Sequence, residues 1–457
     1  KITERKRPLM PNLLYTKNSI IGRLKKYFYL YFSTFSSGTA ENLFLFVLSV
    51  LALESANSVR FLYTHFLKSI SEKSLNAFYY TCSYAKVDYS KFMKITANIA
   101  ISIIPSFLAE EPIFILIDDT IVPKYGTKFE NVSKLFDHSA HNGANFLNGH
   151  CFVSIMLCVP VIRNGKILYN AIPLGYKMWN KEKSKIELAA EMVSKIMPEL
   201  SKQKQVILLF DSWYAKSGMT SLVNKFQNLN IICNVRSDAV LYDFPPIKTG
   251  KRGRPAKHGK KLSIYEDFSL SANKIGEYFI GYREVLTNIF GCLPVMAYVT
   301  APNKSGNNRR LFISTVKASD LRISCAWQEK SPLNQTGLDW MNYVPLFLYI
   351  FRWNIEVSYY EQKTFWSLCR YMVRSSHAIE LVVNLINIAY CSMKILPYSD
   401  AYFENNKNES VQEFRFQLSK SIKEQVFIAT FVAFVESTNK SESTLNLLKE
   451  RIFSKSA

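Results

Sequence analysis

The chain lacks the cysteine spacing that a zinc ribbon or a disulfide-stapled domain requires. Its eight cysteines (Cys82, Cys151, Cys158, Cys233, Cys292, Cys325, Cys369 and Cys391) include no CxxC pair. Neither paired thiolate ligands nor dense cross-links can therefore frame the fold, and a reducing compartment is the default expectation. Long apolar runs are also missing. The best, Asn42 to Leu53 and Cys151 to Ile162, hold only about a dozen residues each, short of the roughly 20 that a membrane-spanning helix needs. No signal-peptide apolar region follows the basic start Lys1 to Arg7 within reach. No internal repeat is visible. Acid is scarce, with 36 Asp plus Glu facing 57 Lys plus Arg for a formal charge of +21. Such an excess favours a polyanionic partner, nucleic acid or an anionic membrane surface, over a basic surface kept only for solubility.

What is present describes a large globular chain. The 457 residues suffice for two to four folding units, and 48% hydrophobic against 20% charged residues argues against disorder. Residues 1–110 read as a helical N-terminal DNA-binding region with a basic arm, since Lys1 to Lys26 carries eight basic residues and one acid, Glu4, and a solvated tail is the competing reading for the arm. From residue 111 the pattern becomes α/β. Ile113 to Ile117 is a buried-strand run ending in Asp118-Asp119-Thr120. Gly149 to Val161 and Lys166 to Ile172 read as strands, with Arg163-Asn164-Gly165 as their hairpin turn. Ser184 to Met197 has helical spacing. Val206 to Phe210 is a second buried strand that ends in an aspartate, Asp211, followed by a helix (Ala215 to Phe226) and a strand (Asn230 to Val235). The order of three strands, helix, strand, helix, strand predicts an α/β layered domain over 111–239.

Residues 240–335 interrupt it with a mostly β insertion, with strand-like runs at Tyr278 to Arg283, Val295 to Thr300 and Leu311 to Thr315. Helical spacing returns at Tyr343, giving a second core segment over 336–400. Residues 401–457 form a polar helical tail whose stripe Phe414, Leu418, Ile422 and Val426 suits core packing better than a partner face.

Two features carry chemistry. Asp118 and Asp211 each end a buried strand, a rigid place from which to project a carboxylate, and the 93 positions between them mean that only the fold can bring them together. The second feature is the spacing Y-x2-R-x3-E-x6-K formed by Tyr349, Arg352, Glu356 and Lys363. At about 100° per helical residue, the four fall within one arc roughly 60° wide. A buried structural helix would put apolar residues on so narrow a face. An acid between two cations suits a metal-binding carboxylate flanked by phosphate-gripping side chains, and the competing reading is a solvated helix with local ion pairs.

Together with Phe114 to Thr120 (FILIDDT), Leu208 to Tyr214 (LLFDSWY), Trp353-Asn354-Ile355-Glu356, Gly149-His150 and Arg252-Gly253-Arg254-Pro255, this pattern resembles the DDE insertion-sequence transposases, in the branch that carries the Y-x2-R-x3-E-x6-K signature. The resemblance spans about residues 40–395. It implies a ribonuclease-H-like catalytic core interrupted by a β insertion and flanked by helical N- and C-terminal regions. It further implies that Asp118, Asp211 and Glu356 hold two Mg2+ ions, hard cations with oxygen ligands for which Mn2+ can substitute. Arg352 and Lys363 would grip phosphates near the cleaved end, and Tyr349 would contact the backbone or a displaced base. The implied partners are double-stranded DNA, both terminal inverted repeats and target DNA, with the protein acting as a homodimer on DNA, without a membrane, in a bacterial cytoplasm at the nucleoid. Asp119 adjoins Asp118 and leaves the first ligand ambiguous. The family pattern favours Asp118, and strand alternation lets only one of the pair face a cleft.

Further DNA contacts are expected outside the cleft. Lys248 to Lys261 holds seven basic residues and no acid, and its Arg252 and Arg254 resemble the core of an AT-hook. A solvated basic loop is the competing reading. Trp327, 29 residues before Glu356, stands where some relatives hold a flipped base, although a core tryptophan fits as well. Asp137, His138, His141, His150 and Cys151 match no standard zinc spacing and read as hydrogen-bonded structural residues. Three functions are weighed: an active transposase, a catalytically inactive or domesticated DNA-binding relative, and a glycosidase using paired carboxylates. The last leaves the charge and the Arg/Lys stripe unexplained.

Overall fold

The computed structural model describes residues 12–16, 18–53, 58–137, 145–246, 256–291, 293–305, 308–323, 340–438 and 446. The chain divides into two compact units. The first comprises Lys1–Val87, Gln362–Met393 and Glu409–Ala457, and the second Asp88–Glu361 with Lys394–Asn408.

The first unit is helical. Serine side chains start three of its helices, each accepting a hydrogen bond from a first-turn amide: Ser19 before Ile20–Phe32, Ser58 before Val59–Leu62 and Ser74 before Leu75–Tyr84. The helix Ser37–Ala52 is apolar all round and buries every residue from Asn42 to Ala52, as a helix without a polar face must. Phe414, Leu418, Ile422 and Val426 of the helix Val411–Thr438 are all buried, so that stripe is core. One buried cation was not foreseen. Arg415 donates to the carbonyls of Val50 (2.9 Å), Leu53 (2.6 Å) and Phe365, and lies 4.1 Å from the Trp366 ring centre. Its guanidinium thereby satisfies helix-end carbonyls that would otherwise be left without partners. The helix Ser376–Ser399 is long and apolar enough to cross a membrane, but 94% of its apolar window is buried within the fold, as in a core helix.

The second unit is built on one mixed sheet. Its strands are β1 (Ile113–Pro123), β2 (Ser133–Phe136), β3 (Phe146–Arg163), β4 (Lys166–Met178), β5 (Val206–Phe210), β6 (Leu229–Val235), β7 (Leu241–Tyr242), β8 (Lys261–Leu262), β9 (Phe279–Val285), β10 (Val295–Ala301) and β11 (Arg310–Ser314). Among the described residues the main sheet has nine strands in the order β2-β3-β1-β5-β6-β11-β10-β9, with β4 also on β3. β7 and β8 form a separate ladder. β1, β3 and β4 are antiparallel neighbours, whereas β5 and β6 run parallel to β1. The β3–β4 turn uses Asn164 and Gly165, both at positive φ (52° and 69°), the combination a tight two-residue hairpin demands. The helix Lys185–Ile196 makes the crossover from β4 to β5, and two four-residue helices, Ser217–Thr220 and Leu222–Lys225, stand where a single one was expected. β5 is buried along its whole length, which explains its unbroken apolar run.

This is the mixed α/β, ribonuclease-H-like arrangement expected, with helical regions on either side in sequence. The expected β insertion supplies β9, β10 and β11 close to their predicted positions. These strands do not close into a sheet of their own: β11 pairs with β6 and carries the core sheet outward. Their face holds a second apolar cluster, Ile275, Ile280, Tyr298, Phe312 and Leu346, against which Tyr343, Phe347 and Tyr349 pack. The insertion thus supports the segment leading into the glutamate helix.

Candidate active site

Asp118 lies within β1 rather than at its end, opposite Ser154 of β3. Asp211 directly follows β5, the parallel neighbour of β1. Adjacent parallel strands deliver the two carboxylates to the same end of the sheet, which bridges the 93 positions between them. Asp211 is held by its own turn, its Oδ1 accepting the Trp213 N–H at 3.0 Å.

The pleat separates Asp118 from Asp119. Asp119 accepts from Lys185 Nζ (2.8 Å), Tyr214 Oη (2.9 Å) and Cys151 Sγ (3.2 Å). Its acceptor sites are thus taken up by neighbouring side chains. Asp118 Oδ1 accepts only the Asp119 amide at 2.8 Å among the bonds described, and its Oδ2 lies 3.3 Å from Arg352 Nη1. Burial, then the charges of Asp211 and Asp119, push the Asp118 carboxyl up to about 7, against the opposing pull of Arg352. Burial also raises Asp211.

The signature residues do not all lie on one α-helix. Tyr349–Arg352 is a 3-10 turn, and the α-helix runs from Trp353 to Phe365. With three residues per turn, Tyr349 and Arg352 are eclipsed, so the 100° spacing holds only from Glu356 onward. Two anchors fix this segment to the sheet. Phe351 packs on Phe114 of β1 and Tyr169 of β4, at ring separations of 4.6 and 4.8 Å. Three residues after Glu356, Tyr359 Oη lies 2.5 Å from Ser154 Oγ, and Ser154 is the register partner of Asp118. Arg352 and Glu356 are bracketed between the anchors, and Arg352 bridges the Asp118 and Glu356 carboxylates. The Tyr349 ring meets Phe312 edge-on at 5.2 Å, and the Arg352 guanidinium lies 5.8 Å from it. Lys363 lies seven residues past Glu356 on the same helix.

Among the described residues, no three His, Cys, Asp or Glu side chains are gathered closely enough to hold one ion. Arg352 stands between Asp118 and Glu356 as the local cation. The chemistry of the donor set nonetheless fits a hard divalent ion. All three groups offer carboxylate oxygens, and a cation among them would offset the burial and the neighbouring negative charge that raise the Asp118 carboxyl. Of the histidines in the disfavoured zinc reading, His150 is fully buried with Nε2 2.9 Å from the Glu130 carbonyl. His138 and His141 lie outside the described residues, as do Arg252, Arg254 and Trp327.

Lys185, Tyr214, Ser154, Tyr359 and Phe351 escaped the sequence reading. Tyr214 stood inside a motif already singled out, and Phe351 and Tyr359 stood within the span of the Tyr349 to Lys363 signature, which are the local hints of a role. Lys185 and Ser154 are joined to the site solely by long-range contacts.

Residues 83–274 match the family model described as DDE superfamily endonuclease. No curated protein matches the chain. The match covers Asp118 and Asp211 and supports a transposase-like nuclease of the DDE type. It stops before Glu356, so the third carboxylate rests on the geometry above.

Proposed function

We propose that this chain is a DNA transposase of the cut-and-paste kind, cleaving strands at transposon ends and joining the 3′-hydroxyl to target DNA. The observation that carries the reading is that Asp118 lies within β1 and Asp211 just after its parallel neighbour β5, with Arg352 bridging Asp118 and Glu356. Asp118, Asp211 and Glu356 would hold the metal. When bound, two Mg2+ ions supply activation of the attacking water or 3′-hydroxyl and neutralise charge on the leaving oxygen. Asp119 is the less suited first ligand, because Lys185, Tyr214 and Cys151 already use its oxygens. Arg352 holds the acids together in the absence of DNA and is placed to turn to a phosphate oxygen, for which its planar fork is suited. Lys363, Arg252 and Arg254 add phosphate or groove contacts, Tyr349 and Trp327 contact the end, and the protein acts as a homodimer across two ends of double-stranded DNA.

The test is strand cleavage of the DNA flanking this gene with Mg2+ or Mn2+, comparing the parent with Asp211→Asn. The parent should nick the end-containing DNA, and the variant should lose at least about 100-fold in rate, as expected when charge stabilisation in the transition state is removed, while binding DNA as before. Full cleavage by Asp211→Asn would remove it from the ligand set. A second reading, a DNA-binding relative without cleavage, draws on the Arg352 bridge that closes over Asp118 and Glu356. Absence of any metal-dependent nicking by the parent would favour it.

A further inference from the structure

Beside Asp211 lies an aromatic surface that the cleavage chemistry does not use. Trp213 is 46% exposed although its backbone is pinned to Asp211. Lys185 Nζ sits 5.1 Å from the Trp213 ring centre and 5.7 Å from that of Trp179, so one ammonium serves both rings. That ammonium is itself held by Asp119 at 2.8 Å. Lys216 lies 4.9 Å from the Trp213 ring, and Lys181 lies 5.9 Å from the Trp179 ring. The Trp179 ring is oriented by its Nε1–H, which donates to the Lys183 carbonyl at 2.8 Å. Lys181 is held at φ 70°, a left-handed conformation that is unfavourable for a non-glycine residue.

We infer that Trp213 and Trp179, with Lys181, Lys185 and Lys216 around them, form a platform that stacks the bases of a single DNA strand beside Asp211. Aromatic faces accept any base, and lysines around them take the phosphates, the combination used to bind single strands without reading sequence. The neighbouring carboxylates repel phosphates, so the bases lie over the rings and the backbone lies outboard along the lysines. Exposed Lys216 is the displaceable partner. Its exposed cation–π contact is weaker than base stacking on tryptophan, and once displaced it is free to meet a phosphate. Lys185 stays fixed by Asp119. The choice of DNA over RNA rests on the proposed endonuclease reading; the stacking site itself does not.

The experiment uses the full chain and a short fluorescent oligothymidylate in chelator, where cleavage cannot occur. Anisotropy should show Trp213→Ala binding about 10-fold more weakly, with Trp213→Phe within about 3-fold of the parent because a ring remains. A blunt duplex of mixed sequence should bind both variants like the parent. Oligothymidylate should quench the intrinsic fluorescence of the parent, and Trp213→Phe should lose much of that quenching. Parent-like oligothymidylate binding by a folded Trp213→Ala overturns the inference. If that variant melts early, undiminished quenching in Trp213→Phe overturns it instead. Tighter binding of oligouridylate than of oligothymidylate would overturn the assignment to DNA. Failure of metal-dependent nicking with these results intact would sink the endonuclease reading and leave the platform standing.

Discussion

Asp118 and Asp119 are chemically identical neighbours with opposite circumstances. Asp119 has a lysine, a tyrosine hydroxyl and a thiol at its oxygens, while Asp118 is buried near the negative charges of Asp211 and Asp119 with Arg352 in partial compensation. An acid whose folded value is raised from 3.8 to about 7 favours folding most below the lower figure, where it is protonated in both states. That contribution is lost progressively as pH rises through the interval. In chelator, Asp118→Asn is therefore expected to melt higher than the parent at pH 8 and like the parent at pH 4. The gain should be roughly 2–4 °C for each kcal/mol of burial cost and repulsion relieved. Adding Mg2+ at pH 8 should raise the melting temperature of the parent and leave that of the variant nearly unchanged. Calorimetry reads both, and a variant destabilised at pH 8 in chelator would show that Asp118 is not held under repulsion.

At the scale of single elements, the helix Lys185–Ile196 links fold to site. Ser184 caps it in a reciprocal box: its Oγ accepts the Glu187 amide at 3.1 Å and its own amide donates to Glu187 Oε2 at 2.7 Å. Lys185 at the first helical position opposes the positive end of the helix dipole, a placement tolerated here because Asp119 neutralises it. Ser184→Ala should cost about 1 kcal/mol by chemical denaturation, with Ser184→Thr close to the parent. An alanine variant as stable as the parent would mean that water replaces the cap. The segment before Glu356 shows the converse. Its 3-10 turn follows from packing, because Phe351 is drawn to Phe114 and Tyr169 while Tyr349 is drawn to Phe312. Local spacing alone suggests a continuous α-helix there.

For the whole molecule, a formal charge of +21 predicts DNA binding dominated by counterion release. If six or more phosphates are contacted, affinity for a generic duplex should fall by at least about 10³-fold between 50 and 200 mM salt. A titration showing little change would mean that the basic surface does not meet the backbone.

Much of this architecture could be read from local pattern. The buried runs Ile113–Ile117 and Val206–Phe210 announce strands because only β-rich apolar segments suit a sheet covered on both faces. Asn164-Gly165 announces the hairpin, and Ser184 with Glu187 announces a helix start. The candidates Asp118, Asp211 and Glu356 were visible for the same reason, following buried apolar runs or standing within a spaced signature. The tertiary structure alone decided that Asp119, and not Asp118, is held by Lys185, Tyr214 and Cys151, that Arg352 spans Asp118 and Glu356, that β9 to β11 extend the core sheet, and that Lys185 ties Asp119 to two tryptophans. These outcomes depend on sheet register and on contacts between residues far apart in sequence, such as the 66 positions from Asp119 to Lys185 and the 234 from Asp118 to Arg352. Local propensity carries no information about such pairings, since they form only when separate elements compete for the same buried surface.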